Sequence, residues 1–260
     1  MQTVIVPLDF SQTSFNAAHY AANMYKERTG TKLILYHFYD DSETVETSRH
    51  YLESLKDELS SMGLNIETEL ESGDNFIDSL AAFAHVKGAY LIVMGLTGKT
   101  PSEQRFSGTN TLRICEKSIC PVLIVPEDAS YKAIDNIMIA SELKYVEESP
   151  SLLAVKKVLK EFSPALHVLN VNSDVYISLT QELKAERDKM EELLKEFKPE
   201  FYFMRMYDFH ESVDVFARDK NIDIIVIAPK YHTFFERLFK TQHTKKLIYQ
   251  SKIPVLAVHE

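Results

Sequence analysis

The chain has 260 residues, 45% hydrophobic and 26% charged, with a formal net charge of −9. This is the balance of an ordinary water-soluble globular protein long enough to bury two cores, and it argues against non-specific nucleic-acid binding, which needs clustered Lys and Arg. No apolar run approaches the roughly 18 residues that a membrane-spanning helix needs, and the first residues lack the basic stretch and apolar run of a signal peptide. Cys115 and Cys120 have neither CxxC nor Cys/His ligand spacing. The expectation is a cytoplasmic protein with buried, reduced thiols, no membrane partner and no nucleic-acid partner.

In chain order, strand readings fall near residues 3–8, 32–38, 64–70, 89–94 and 122–125. Their apolar residues run continuously, as in parallel strands covered on both faces. Helices fit between them. The first follows Ser11-x-x-Ser14 with Ala17, Ala18, Ala21 and Ala22 on one face. The others are expected near 45–62, 75–87 and 109–117. Asp74 is the expected N-cap of the third helix and Gly88 its stop. The result is a doubly wound α/β domain with right-handed crossovers.

The pattern then repeats. Cys120-Pro-Val-Leu-Ile-Val125 returns as Ile253-Pro-Val-Leu-Ala-Val258, and Ala89-Tyr-Leu-Ile-Val-Met-Gly95 as Ile222-Asp-Ile-Ile-Val-Ile-Ala228, both 133 residues on. Thr3 to Asp9 maps onto Asn136 to Glu142 at the same offset. The chain therefore reads as two tandem copies of one five-stranded parallel domain, residues 1–127 and 133–260, joined by a polar linker at 127–132. The last strand of each copy leaves an apolar edge that must be covered or paired. Intrachain pairing of the two domains is expected, and a homodimer is compatible with it.

The glycines are not shared. All seven lie within the first 108 residues, and Gly95, Gly98 and Gly108-Thr109 follow the fourth strand as a G-x2-G-x9-G-Thr run. Such a run lets backbone N–H groups close around an anion. The Gly108-Thr109 pair opens a helix whose positive end attracts phosphate. Thr109 and Thr111 add hydroxyls and Lys99 a compact charge. Asp9 ends up on the same sheet edge and suits either a phosphate-bound Mg²⁺ or a ribose hydroxyl. Ligands bind on that edge in sheets of this class. Gly98-Lys99-Thr100 is not a Walker loop, because Val93 stands where its first glycine belongs.

Together, Pro7-Leu8-Asp9, His37-Phe38, Gly73-Asp74, Leu91-Ile-Val-Met-Gly95, the glycine run and Cys120-Pro-Val-Leu-Ile-Val125 resemble the universal stress protein family. The resemblance covers most of both halves, as in tandem members. It implies a Rossmann-like strand order 3-2-1-4-5 and an ATP site on Pro7, Asp9, Phe38, Met94, Gly95, Thr97, Gly98, Gly108, Thr109, Asn110 and Thr111. It also implies pairing between final strands of two domains. The chain departs from the family at Phe10, Phe38 and Thr97.

In the second copy, Gly95, Gly98, Gly108 and Thr109 become Ala228, Tyr231, Thr241 and Gln242. Side chains stand where bare backbone is needed, so ATP is expected in the first domain alone. The aromatic, basic segment 230–240 reads as a loop packed over its own sheet edge. His37 reads as a packed, hydrogen-bonded imidazole, and Asp208-Phe-His210-Glu211 as a helix cap. No nucleophile, base and orienting group converge. The expected protein is an ATP-binding, stress-response regulatory module with Mg²⁺ and an unidentified protein partner. The alternatives are a slow ATP-hydrolysing or adenylate-transferring enzyme and a nucleotide-free scaffold.

Overall fold

A computed structural model describes residues 1–39, 45–96, 109–117, 120–172, 180–205, 208–227 and 251–258. The chain divides into two compact units, Met1–Lys132 and Ala133–Glu260. The first unit contains β1 (Gln2–Pro7), α1 (Gln12–Tyr25), β2 (Thr31–Tyr39), α2 (Val45–Ser60), β3 (Asn65–Ser72), α3 (Phe76–Val86), β4 (Ala89–Leu96), α4 (Thr109–Lys117) and β5 (Val122–Pro126). Its strands are all parallel in the order β3-β2-β1-β4-β5. The winding direction reverses between β1 and β4, where α/β sheets open a crevice.

Local chemistry explains the elements. Ser11 caps α1 by accepting from the Ser14 amide at 3.2 Å, and the fully buried Ala17, Ala18, Ala21 and Ala22 bring the helix close against β1, β4 and β5. The cap of α3 is Asn75, not Asp74: its Oδ1 accepts from the amides of Ile77 and Asp78 at 2.9 and 3.2 Å. β3 departs from the continuous apolar pattern, alternating Glu67, Glu69 and Glu71 with Ile66, Thr68 and Leu70. Within its unit it is an edge strand pairing with β2 alone, so its faces are only partly covered. Segment 127–132 packs with the first unit: Asn16 Nδ2 donates to the carbonyls of Pro126 and Ala129 at 3.1 and 3.0 Å, and Tyr131 meets Tyr20 edge-on.

The second unit contains β6 (Asn136–Ala140), α5 (Pro150–Phe162), β7 (Ala165–Asn172), α6 (Gln181–Leu194), β8 (Glu200–Arg205), α7 (Phe209–Asp219), β9 (Ile224–Ile227) and β10 (Val255–Ala257). It repeats the same parallel order, β8-β7-β6-β9-β10. The backbone repeats in finer detail as well. Left-handed residues recur 133 apart as Phe10 and Leu143 (φ 60° and 50°), Gly30 and Ser163 (93° and 50°), and Gly88 and Asn221 (57° and 50°). Left-handed positions thus recur in the second copy, where Ser163 and Asn221 stand at the places of Gly30 and Gly88.

Candidate functional site

The carboxyl ends of β1, β2 and β4 and the first turns of α1, α3 and α4 surround a cavity of about 280 Å³. Pro7, Asp9, Phe38, Met94, Gly95, Asn110 and Thr111 all line it. Thr97, Gly98, Lys99 and Gly108 lie outside the described residues, and of Thr109 only the backbone, opening α4, is described. The cavity also takes in Ser11, Thr13, Ser14, His37 and Phe76. The Ser11-x-x-Ser14 pattern marked the start of the first helix; that the same residues border the cavity follows from where α1 starts, five residues after β1 ends.

Asp9 sits just past the end of β1. Its Oδ1 accepts from the Ser11 amide at 3.0 Å and from the Ser11 hydroxyl at 2.5 Å. Partial burial works against ionisation. The bonds from Ser11, with a smaller contribution from Ser14, outweigh it and hold the carboxyl below the ordinary aspartate range. Phe10 follows in the left-handed region, unusual for a bulky residue. Its ring lies 4.3 Å from His37 and 5.2 Å from Tyr51, centroid to centroid. His37 is packed and bonded as expected. Nδ1–H donates to the Leu8 carbonyl at 2.7 Å, which leaves Nε2 to accept from the Ser48 hydroxyl at 3.2 Å.

At the other wall, the Phe38 ring meets Phe76 in a T-shaped contact at 6.0 Å. It also packs over Gly73, where an added Cβ would lie 3.5 Å from the Phe38 ring. Packing by itself requires glycine at Gly95. The direction a Cβ would take is filled by the backbone of Thr13, whose carbonyl carbon would be 2.7 Å away. The missing side chain brings the first turn of α1 against β4. Thr111, expected to offer its hydroxyl to phosphate, lines the cavity; it is 1% exposed and its hydroxyl donates to the Gly95 carbonyl at 3.2 Å.

The second unit is built differently at the matching edge. Whereas α1 starts five residues past β1, α5 starts ten past β6. The intervening loop buries Leu143 and Val146, to 2% and 6% exposure. The Val146 amide donates to the Glu186 carboxylate, and the Asn170 amide group donates to the Ser141 carbonyl at 2.9 Å. Glu142, the counterpart of Asp9, pairs with Lys144 at 3.1 Å. Ala228 and segment 230–240 lie outside the described residues. Asp208 is a cap as expected, accepting from the amides of His210 and Glu211. Both cysteines are buried free thiols, and burial pushes the Cys115 thiol well above its ordinary range. Among the described residues no helix is long and apolar enough to cross a membrane.

A tandem, doubly wound α/β protein with a crevice at its strand-order reversal is the class this architecture defines. The model of the universal stress protein family matches residues 1–126. A universal stress protein of Methanocaldococcus jannaschii is 31% identical over 138 residues, covering 47% of this chain and 80% of that protein. The fold is shared along nearly the whole length with a universal stress protein structure from Archaeoglobus fulgidus (TM-score 0.70, 17% identity, 98% of this chain and 94% of that one). It is shared too with a functionally unknown protein from Pseudomonas aeruginosa (TM-score 0.65, 13% identity, 100% of this chain and 92% of that one). The chain belongs to the universal stress protein family.

Proposed function

We propose that this chain is an ATP-binding regulatory protein of the stress response that takes nucleotide in its N-terminal unit only. The observation that carries the reading is the cavity at the β1/β4 reversal. It joins an aromatic wall, Phe38 and Phe76, to a polar end holding an ionised carboxylate, Asp9, and helix first turns. Such a division suits a ligand with a flat apolar base at one end and a charged, hydroxyl-rich remainder at the other. The glycine run 95–108 supports phosphate binding from the sequence side. In the second unit, the buried Leu143 and Val146 and the Glu142–Lys144 pair support the restriction to one copy.

The donor set fits a magnesium ion only as a passenger of the phosphates. Asp9 offers one carboxylate, and no group of three or more His, Cys, Asp or Glu that could hold a metal occurs among the described residues. Mg²⁺ would shield phosphate charge, with Asp9 the carboxylate among the described residues lining the cavity. Purified protein is heat-denatured and the supernatant assayed for released nucleotide, then the refilled protein is titrated by equilibrium dialysis. About one ATP per chain is the expected result. Two per chain, or none at millimolar ATP with Mg²⁺, overturns the proposal.

A further inference from the structure

We propose that Ser11 is the positioning residue of the cavity carboxylate. By holding Oδ1 of Asp9 with two hydrogen bonds from neutral groups, it orients the carboxylate as an acceptor for the ligand. The inference rests on the nucleotide reading above and adds a residue outside the glycine run to it.

Three observations carry it. Both bonds from Ser11, through its amide and its hydroxyl, end on the same oxygen of Asp9, so the carboxylate is oriented, with Ser14 adding a smaller contribution. Ser11 is itself fixed, because its hydroxyl also accepts from the Ser14 amide and its carbonyl accepts from the Ser14 hydroxyl at 3.0 Å. Among the described residues no Lys, Arg or His stands within ion-pair distance of Asp9. A partly buried carboxylate oriented by hydroxyl and amide donors keeps its full charge for an incoming partner.

The second copy makes the contrasting choice at the matching positions. Asp9, Phe10 and Ser11 map onto Glu142, Leu143 and Lys144, and the middle residue is left-handed in both. The third residue changes from a neutral donor to a cation. Lys144 Nζ meets Glu142 Oε2 at 3.1 Å, so that carboxylate already has its counter-ion. The residue two after the acid is thus a neutral donor to it in the first copy and its ion-pair partner in the second.

The test compares ATP binding, with Mg²⁺, by full-length wild type, Ser11→Gly, Ser11→Thr and Ser11→Lys across pH 4.5 to 7.5. Glycine is a tolerated N-cap and keeps the amide bond, so it removes the hydroxyl with little change to α1; circular dichroism checks that each variant is folded. Ser11→Gly is expected to weaken binding about three- to tenfold, the scale of one charge-assisted hydrogen bond acting through orientation. It should also move the acid limb of binding to higher pH, because Asp9 loses the bond that favours its ionised form. Ser11→Thr restores both properties, and Ser11→Lys abolishes binding. Wild-type affinity with an unmoved acid limb in folded Ser11→Gly, or undiminished binding by Ser11→Lys, overturns the inference. If wild type binds no ATP, the nucleotide reading fails by itself. Titration of the ¹³C-labelled Asp9 carboxyl by NMR then decides the positioning role: a higher pKa in Ser11→Gly sustains it and an unchanged one removes it.

Discussion

Gly95 and Thr13 occupy one volume. A Cβ on the glycine would stand 2.7 Å from the carbonyl carbon of Thr13 and 2.9 Å from its Cγ2. The first turn of α1 is therefore seated against β4 by the absence of a side chain. Gly95→Ala is expected to destabilise the N-terminal unit by about 1–3 kcal/mol, the usual range for overpacking a tight contact. Urea denaturation checks it. A change below about 0.5 kcal/mol would mean that the helix gives way easily and that glycine is there for another reason.

The paired turns predict a reciprocal exchange. Ser163 holds φ 50° at the end of α5 where the first copy has Gly30 at φ 93°. A left-handed L-residue costs roughly 1–2 kcal/mol, while glycine gives back about 0.4–1 kcal/mol through its more disordered unfolded chain. Ser163→Gly should thus raise stability by about 0.5–1 kcal/mol, and Gly30→Ser should lower it by a similar amount. Thermal melts of both variants test the sign as well as the size.

His167 makes the second unit acid-sensitive. Its residue is 6% exposed, Nε2 lies 3.3 Å from Asn136 Oδ1, and Nδ1 lies 3.7 Å from Glu200. Burial lowers its pKa, Glu200 opposes that, and Lys220 adds to it, leaving the imidazole below the ordinary histidine value. The unfolded chain then takes up the proton first. The stability contribution is present above the unfolded pKa near 6.5 and is lost as pH falls through that value towards the folded one. In His167→Ile, which installs the residue found at the matching Ile34, the pH dependence of unfolding between about 5 and 7 should flatten. An unchanged slope would assign it to other groups.

Capping separates two neighbours. Asn75→Ala should cost about 1 kcal/mol, because its side chain holds two amides of α3. Asp74→Ala should change stability by less than about 0.5 kcal/mol, as surface substitutions usually do. The contrast is read from two denaturation curves.

These cases mark what the sequence could tell. The strands announced themselves through runs such as Val4-Ile-Val6 and Leu91-Ile-Val93, which are buried on both faces. The repeat was legible because three segments kept one offset. Strand order came from family resemblance, since adjacency between distant segments leaves no local mark. Asp74 and Asn75 are both good caps, and only backbone geometry distinguishes them. The late start of α5 did leave a trace, Ser149-Pro150, a cap followed by proline at the first helical position. The Thr13–Gly95 contact is tertiary and became visible only when α1 was set against the sheet, while the Asp9–Ser11 bonds are local but depend on the backbone of the turn.

Asn16 gives α1 a second attachment. Ser11, Thr13 and Ser14 face the cavity, and one turn further on Asn16 grips the carbonyls of Pro126 and Ala129. About 7–8 Å of helix thus separates the cavity rim from the carbonyls that Asn16 holds. The segment leaving β5 is thereby moored to the same helix that borders the cavity.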